Sequence, residues 1–86
     1  MMKGEEVGTP EFVLYSRADC HLCDVLLKEL RALLDGVEFE LSIVDISVSD
    51  GLMRQYGERI PVLTADGVEL CHYHLDAKRV QDWLAS

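Results

Sequence analysis

Apolar and polar positions change their period several times along the chain. Phe12-Val13-Leu14-Tyr15 is a short continuous apolar run within residues 11–16, read as a strand lying centrally in a sheet. From Leu22 the spacing becomes helical. Leu22, Val25, Leu26, Leu30, Leu33 and Leu34 share one side, while Asp24, Lys28, Arg31 and Asp35 mark the other. This predicts a helix from about Cys20 to Leu34, capped by Asp19 or Cys20 and ended by Asp35-Gly36, with Gly36 in the left-handed C-terminal position. Beyond it the period drops to two. Val37, Phe39, Leu41 and Ile43 alternate with Glu38, Glu40 and Ser42, and Val44 to Ile46 extend the expected strand. Strand, helix and strand make a βαβ unit, which implies parallel pairing.

Ser47 to Asp50 reads as a turn with Ser49 and Asp50 as candidate caps for a short helix, Leu52 to Tyr56, that stops at Gly57. Pro61 opens a further strand, Val62 to Thr64. Asp66-Gly67 between two apolar runs predicts a type I′ hairpin and an antiparallel return strand, Val68 to Cys71. Asp76 then caps a last helix, Ala77 to Leu84, with Val80, Trp83 and Leu84 as its buried stripe. Trp83 and Tyr15 are expected in the core. The order is β-α-β-α-β-β-α, an α/β class with a four-stranded mixed sheet flanked by helices.

Length and composition narrow the picture. A chain of 86 residues with 49% hydrophobic content has room for a single core. The expected organisation is a flexible segment over residues 1–10 and one domain over residues 11–86. The segment Met1-Met2-Lys3-Gly4-Glu5-Glu6 lacks the apolar stretch of a signal peptide, and no apolar run reaches membrane-spanning length. The expected location is the cytoplasm. A formal charge of −8 argues against nucleic acid and against anionic membrane surfaces as partners, since both need a basic face. A monomer is the expected state.

Chemistry concentrates in Cys20-His21-Leu22-Cys23, where an apolar strand gives way to an amphipathic helix. A thiol there sits at a helix N-terminus, whose free N–H groups and dipole favour the thiolate, the nucleophilic form. Arg17 favours that anion too, whereas Asp19 and Asp24 oppose it. A second thiol in the first turn lies close enough for a disulfide with the first. Three cysteines are too few for a secreted disulfide scaffold, so the pair reads as redox or metal chemistry. A tetrahedral zinc site would need two further ligands, for which Cys71, His72 and His74 are candidates if the return strand ends beside the loop. An inert buried pair is the third reading.

These features resemble the thioredoxin fold, and within it the small glutaredoxin-like proteins, over roughly residues 11–85. The matching stretches are Tyr15-Ser16-Arg17-Ala18-Asp19-Cys20-His21-Leu22-Cys23, Val44-Asp45-Ile46, Tyr56-Gly57-Glu58-Arg59-Ile60-Pro61-Val62-Leu63 and the closing helix. The resemblance implies a thiol–disulfide oxidoreductase that reduces protein or glutathione mixed disulfides and contributes to cell redox homeostasis. Cys20 would attack and Cys23 resolve. Pro61 would be cis, leaving the backbone of Ile60 to pair with an extended substrate. Arg17, three residues before the first cysteine where glutaredoxins often carry lysine, and Arg59, beside Pro61, would meet glutathione carboxylates. The alternative for both arginines is pairing with Asp19 and Glu58. His21, when protonated, would stabilise the Cys20 thiolate. No bound cofactor is implied; glutathione would serve as co-substrate, or a thioredoxin-like protein as reductant.

Two departures from the family pattern bear on substrate. Glutaredoxins typically carry Pro and Tyr between the cysteines, where this chain has His21 and Leu22. They also carry Gly-Gly before the last helix, where this chain has Cys71-His72-Tyr73-His74-Leu75-Asp76. The bulk there weighs against standard glutathione binding. A rival from another class is a non-catalytic binding module that docks an extended segment beside Pro61.

Overall fold

The apolar run that reads as a central strand is one. In the computed structural model, which describes residues 9–86, β1 (Glu11–Ser16) lies between two partners in a four-stranded sheet. It pairs in parallel with β2 (Glu40–Asp45), from Glu11 opposite Glu40 to Ser16 opposite Asp45. On its other side it pairs antiparallel with β3 (Val62–Ala65), Leu14 facing Leu63. The antiparallel β4 (Val68–His72) completes the order β2-β1-β3-β4. Helix α1 (His21–Leu33) connects β1 to β2, a 3-10 turn (Ile46–Val48) and α2 (Asp50–Tyr56) connect β2 to β3, and α3 (Ala77–Ala85) follows β4. This is the thioredoxin-like β-α-β-α-β-β-α topology. The flexible lead-in expected for residues 1–10 lies, except for Thr9 and Pro10, outside the described residues.

Alternation along β1 sorts the two faces of the sheet. Phe12 and Leu14 are buried and cluster with Leu26, Leu30 and Leu34 at the α1 side and with Val80 of α3. The Phe12 ring meets Phe39 edge-on at 6.0 Å and Trp83 at 5.4 Å. On the opposite face Tyr15 stacks on Tyr56 of α2 at 4.2 Å, with the planes 18° apart. Each fully buried leucine of the α1 stripe contributes about 1.5–3 kcal/mol. Asp66 and Gly67, at φ 52° and 78°, form the hairpin turn that needs two left-handed residues, and Gly36 ends the α1 region at φ 82°.

Several details differ from the pattern-based reading. The second strand begins at Glu40, not Val37, and ends at Asp45, so Ile46 is buried in the 3-10 turn and not in a strand. Val37 and Ile43 are exposed. The reason is position: β2 is an edge strand, so its alternation is only partly covered, by way of Phe39 and Leu41. Leu22 stands open at the start of α1, and the buried residue of that turn is Cys23. Tyr15 and Trp83 are half-buried around the core instead of inside it.

Candidate functional site

The parallel and antiparallel registers bring three connections to one end of the sheet. β1 ends there at Ser16, β3 begins there with Val62 opposite Tyr15, and β4 ends there with His72 opposite Val62. Arg17-Ala18-Asp19, Glu58 to Pro61, and Tyr73 to Leu75 therefore neighbour one another. Asp19 makes the turn into α1 with φ 66°, a left-handed value that aspartate tolerates better than most residues. Cys20 follows in extended conformation as the N-cap of α1.

Its sulfur takes the place that a cap oxygen normally holds. Cys20 Sγ accepts the Cys23 N–H at 3.2 Å, and the Cys20 carbonyl accepts from Asp24 N–H at 3.3 Å. Cys20 and Cys23 are joined as a disulfide with Cα atoms 5.2 Å apart. Cys23 is 5% exposed while Cys20 is part-exposed. The two sulfurs therefore differ in access. His21 and Leu22, between them, both face solvent.

The Ile60–Pro61 peptide bond is cis, and Pro61 is buried directly ahead of β3. Sheet pairing starts at Val62, so Ile60 lies outside the ladder. Tyr73 ties this loop down at two points. Its N–H donates to the Pro61 carbonyl at 2.9 Å, and its hydroxyl donates to the Glu58 carbonyl. Tyr73 does so in a left-handed conformation, φ 64°.

Arg59 does not pair with Glu58. Its guanidinium donates to the Glu69 carboxylate of β4 and to the Gln55 carbonyl at 3.1 Å, and lies 5.6 Å from the centre of the Tyr56 ring. The second Glu69 oxygen meets His72 Nδ1 at 3.0 Å. Burial pushes the Glu69 carboxyl up, but the hydrogen bonds from Arg59 and then His72 outweigh it and hold the group below its ordinary value. Arg17 is exposed and its charge is felt by Asp45. Asp45 is held low chiefly by hydrogen bonds from the Ser47 hydroxyl and N–H, and secondarily by Arg17. Burial pushes the Tyr56 phenol up, with its neighbour Tyr15 adding to the shift.

Cys71 is a free thiol, buried on β4, and burial pushes it up, so it stays protonated. His72 and His74 are exposed. Among the described residues no group of three or more His, Cys, Asp or Glu is placed to hold a metal ion, and no helix is long and apolar enough to cross a membrane.

Glu69, Tyr73 and Tyr56 are contributors that the residue pattern did not single out. Glu69 and His72 stand three apart on a strand, which in a regular ladder would put them on opposite faces. The register slips between Leu63 and Thr64, from Cys71 to Glu69, so Leu70 is an extra residue. This bulge turns Leu70 and Cys71 both inward and lets Glu69 and His72 meet. Nothing in the one-dimensional pattern marks it.

The fold recurs in solved structures. A Nitrosomonas europaea protein determined by NMR superposes with a TM-score of 0.82 at 37% identity, over 95% of this chain and 98% of that one. Thioredoxin 1 from Thermosipho africanus shares the fold at 10% identity, with a TM-score of 0.56 over 87% of this chain and 94% of that one. An uncharacterised protein of Mycobacterium tuberculosis is 29% identical over 80 residues, 87% of this chain and 82% of that protein. Residues 11–85 match the profile of the glutaredoxin-like domain (DUF836), and the chain belongs to that family, a thioredoxin-fold domain with a Cys-x-x-Cys disulfide at the start of its first helix.

Proposed function

We propose that the protein is a thiol–disulfide oxidoreductase working through Cys20 and Cys23. In the reduced protein the Cys20 thiolate attacks one sulfur of a substrate disulfide. A Cys20–substrate disulfide forms, the substrate S–S bond breaks, and the other half leaves as a thiolate that takes up a proton. Cys23 then loses its proton and attacks Cys20 Sγ. The intramolecular disulfide forms and the captured half leaves as a thiol. Two electrons have passed from the dithiol to the substrate, and an external thiol such as glutathione, or a thioredoxin-like dithiol, restores the reduced state.

The observation that carries this reading is the cap. Cys20, the part-exposed cysteine, accepts the Cys23 N–H through its sulfur and is bonded to a cysteine that is buried. An N–H that caps a neutral sulfur holds a thiolate better, because a charge-assisted hydrogen bond is roughly twice as strong as a neutral one. The shielded partner reacts only with what Cys20 has already bound. His21 adds a cation beside Cys20 when protonated, and the backbone of Ile60, free of the ladder next to Pro61, serves to align an extended substrate.

The reduced protein is expected to reduce a neutral dialkyl disulfide faster than free cysteine does at the same pH. A Cys23→Ser variant should stop at a Cys20 mixed disulfide visible by mass, and Cys20→Ser should form none. A Cys20→Ser variant that still reduces the substrate would remove the proposal.

A further inference from the structure

The cation next to Pro61 is already engaged. Arg59 spends one guanidinium nitrogen on Glu69 and another on the Gln55 carbonyl, with Tyr56 beneath its plane. Glu69 is in turn held by His72, and both Arg59 and Glu69 are only about one-third exposed, at 37% and 34%. The loop that carries Arg59 is also fastened by Tyr73 through the Glu58 and Pro61 carbonyls, so it has little freedom to release the side chain. Arg17, on the cysteine loop, is exposed. The remaining charges near the dithiol include Asp19, Asp24 and Glu58, all exposed, on a chain of net charge −8. Glutathione carries a pair of carboxylates against a single ammonium and is a net anion. It meets a site where Arg59 is engaged by Glu69 and whose net negative field repels it, which leaves the exposed Arg17 as the cation of the cysteine loop.

We propose that Glu69 determines substrate choice: by holding Arg59 it withholds the cation a glutathione carboxylate would need, so the site favours disulfides in neutral or basic polypeptide segments over glutathione mixed disulfides. This rests on the dithiol chemistry proposed above. Glu69 acts through Arg59 and is a positioning residue. A polypeptide substrate loses nothing by this arrangement, since an extended segment is held by backbone pairing and by the exposed apolar side chains Leu22 and Tyr73. Lysine or arginine flanking its disulfide would gain from Asp19, Asp24 and Glu58.

The test compares kcat/KM of the reduced protein for a neutral hydroxyalkyl disulfide, a peptide joined to glutathione, and a lysine-flanked peptide disulfide. The lysine-flanked substrate should be fastest and the glutathione mixed disulfide slowest, with the spread collapsing as salt rises. In Glu69→Gln the glutathione rate relative to the neutral one should rise about tenfold, mainly through KM, as Arg59 becomes able to bond a carboxylate. The double variant Arg59→Gln/Glu69→Gln should lack that gain. Faster reduction of the glutathione substrate by the wild type overturns the proposal, as does a glutathione-to-neutral ratio that ignores Glu69→Gln or a gain that survives in the double variant. If Glu69→Gln does not fold, the wild-type order and its salt dependence decide. Failure with the neutral disulfide would instead refute the dithiol reading, and this inference with it.

Discussion

The N-termini of α1 and α3 use the same backbone device with different atoms. Cys20 caps α1 at φ −94°, ψ 102°, and Asp76 caps α3 at φ −103°, ψ 94°. In each, the side chain accepts the N–H three residues on, at 3.2 Å for Cys20 Sγ and 3.0 Å for Asp76 Oδ1. Ser49 does likewise for α2 at 3.3 Å. Oxygen is the stronger acceptor, and aspartate is among the best caps, whereas sulfur is a weak one. At α3 the cap is a matter of stability. At α1 stability is carried by the stripe beneath, Leu26 and Leu30 at 0% exposure, and the cap position is left to an atom that can react. The difference teaches that a helix terminus can be released for chemistry when its packing does not depend on the cap.

The comparison breaks first at Cys20. Replacing it by serine should lower disulfide reduction by about 10³-fold or more, since nothing else supplies the nucleophile. The same variant should unfold in urea within about 1 kcal/mol of the reduced wild type, because serine caps at least as well. A loss of several kcal/mol would make Cys20 structural and end the contrast with Asp76. Next in size is the stripe that frees the cap. Leu30→Ala should cost about 2–5 kcal/mol in the same measurement, as the cavity opens in the packed core that Leu30 shares with Leu14 and Val80.

Asp76→Ala should cost about 1 kcal/mol in urea unfolding, with kcat/KM for a neutral disulfide unchanged. The smallest effect lies in acid, in the ionic contact beside the caps. Glu69 is held below its ordinary 4.5, so the unfolded chain binds its proton first. Its contribution is therefore complete above 4.5 and is lost as pH falls through the folded-state value. Solvent screens a pair about one-third exposed, so the change is small. Thermal midpoints from about pH 6 to about pH 3 should show wild type losing a small advantage over Glu69→Gln.

Much of this was legible in one dimension because it is local. The β1 run, the α1 stripe beyond Leu22, the Asp66-Gly67 turn, the Asp76 cap and one of each pair of cap candidates, Cys20 and Ser49, depend on neighbours within a few residues and appear in the structure. The reading of Val37 to Ile46 as one alternating strand failed in part, since alternation does not say which strand lies at an edge. Arg59 shows the same limit. Its adjacent carboxylate, Glu58, was the alternative to a glutathione carboxylate as its partner, while the partner in the structure is ten residues away.

By itself the sequence determined the order of elements, the placement of two thiols at a helix start and the proline that opens β3. Those follow from side-chain period, capping and backbone geometry, which act over short spans. Only the tertiary structure decided that Cys23 is buried and Cys20 part-exposed, that Tyr73 fastens the loop before Pro61, and that Glu69 holds Arg59. The physical reason is that a bulge in β4 and the pairing of β3 with its neighbours set which face each side chain takes, and a one-residue slip reverses that face.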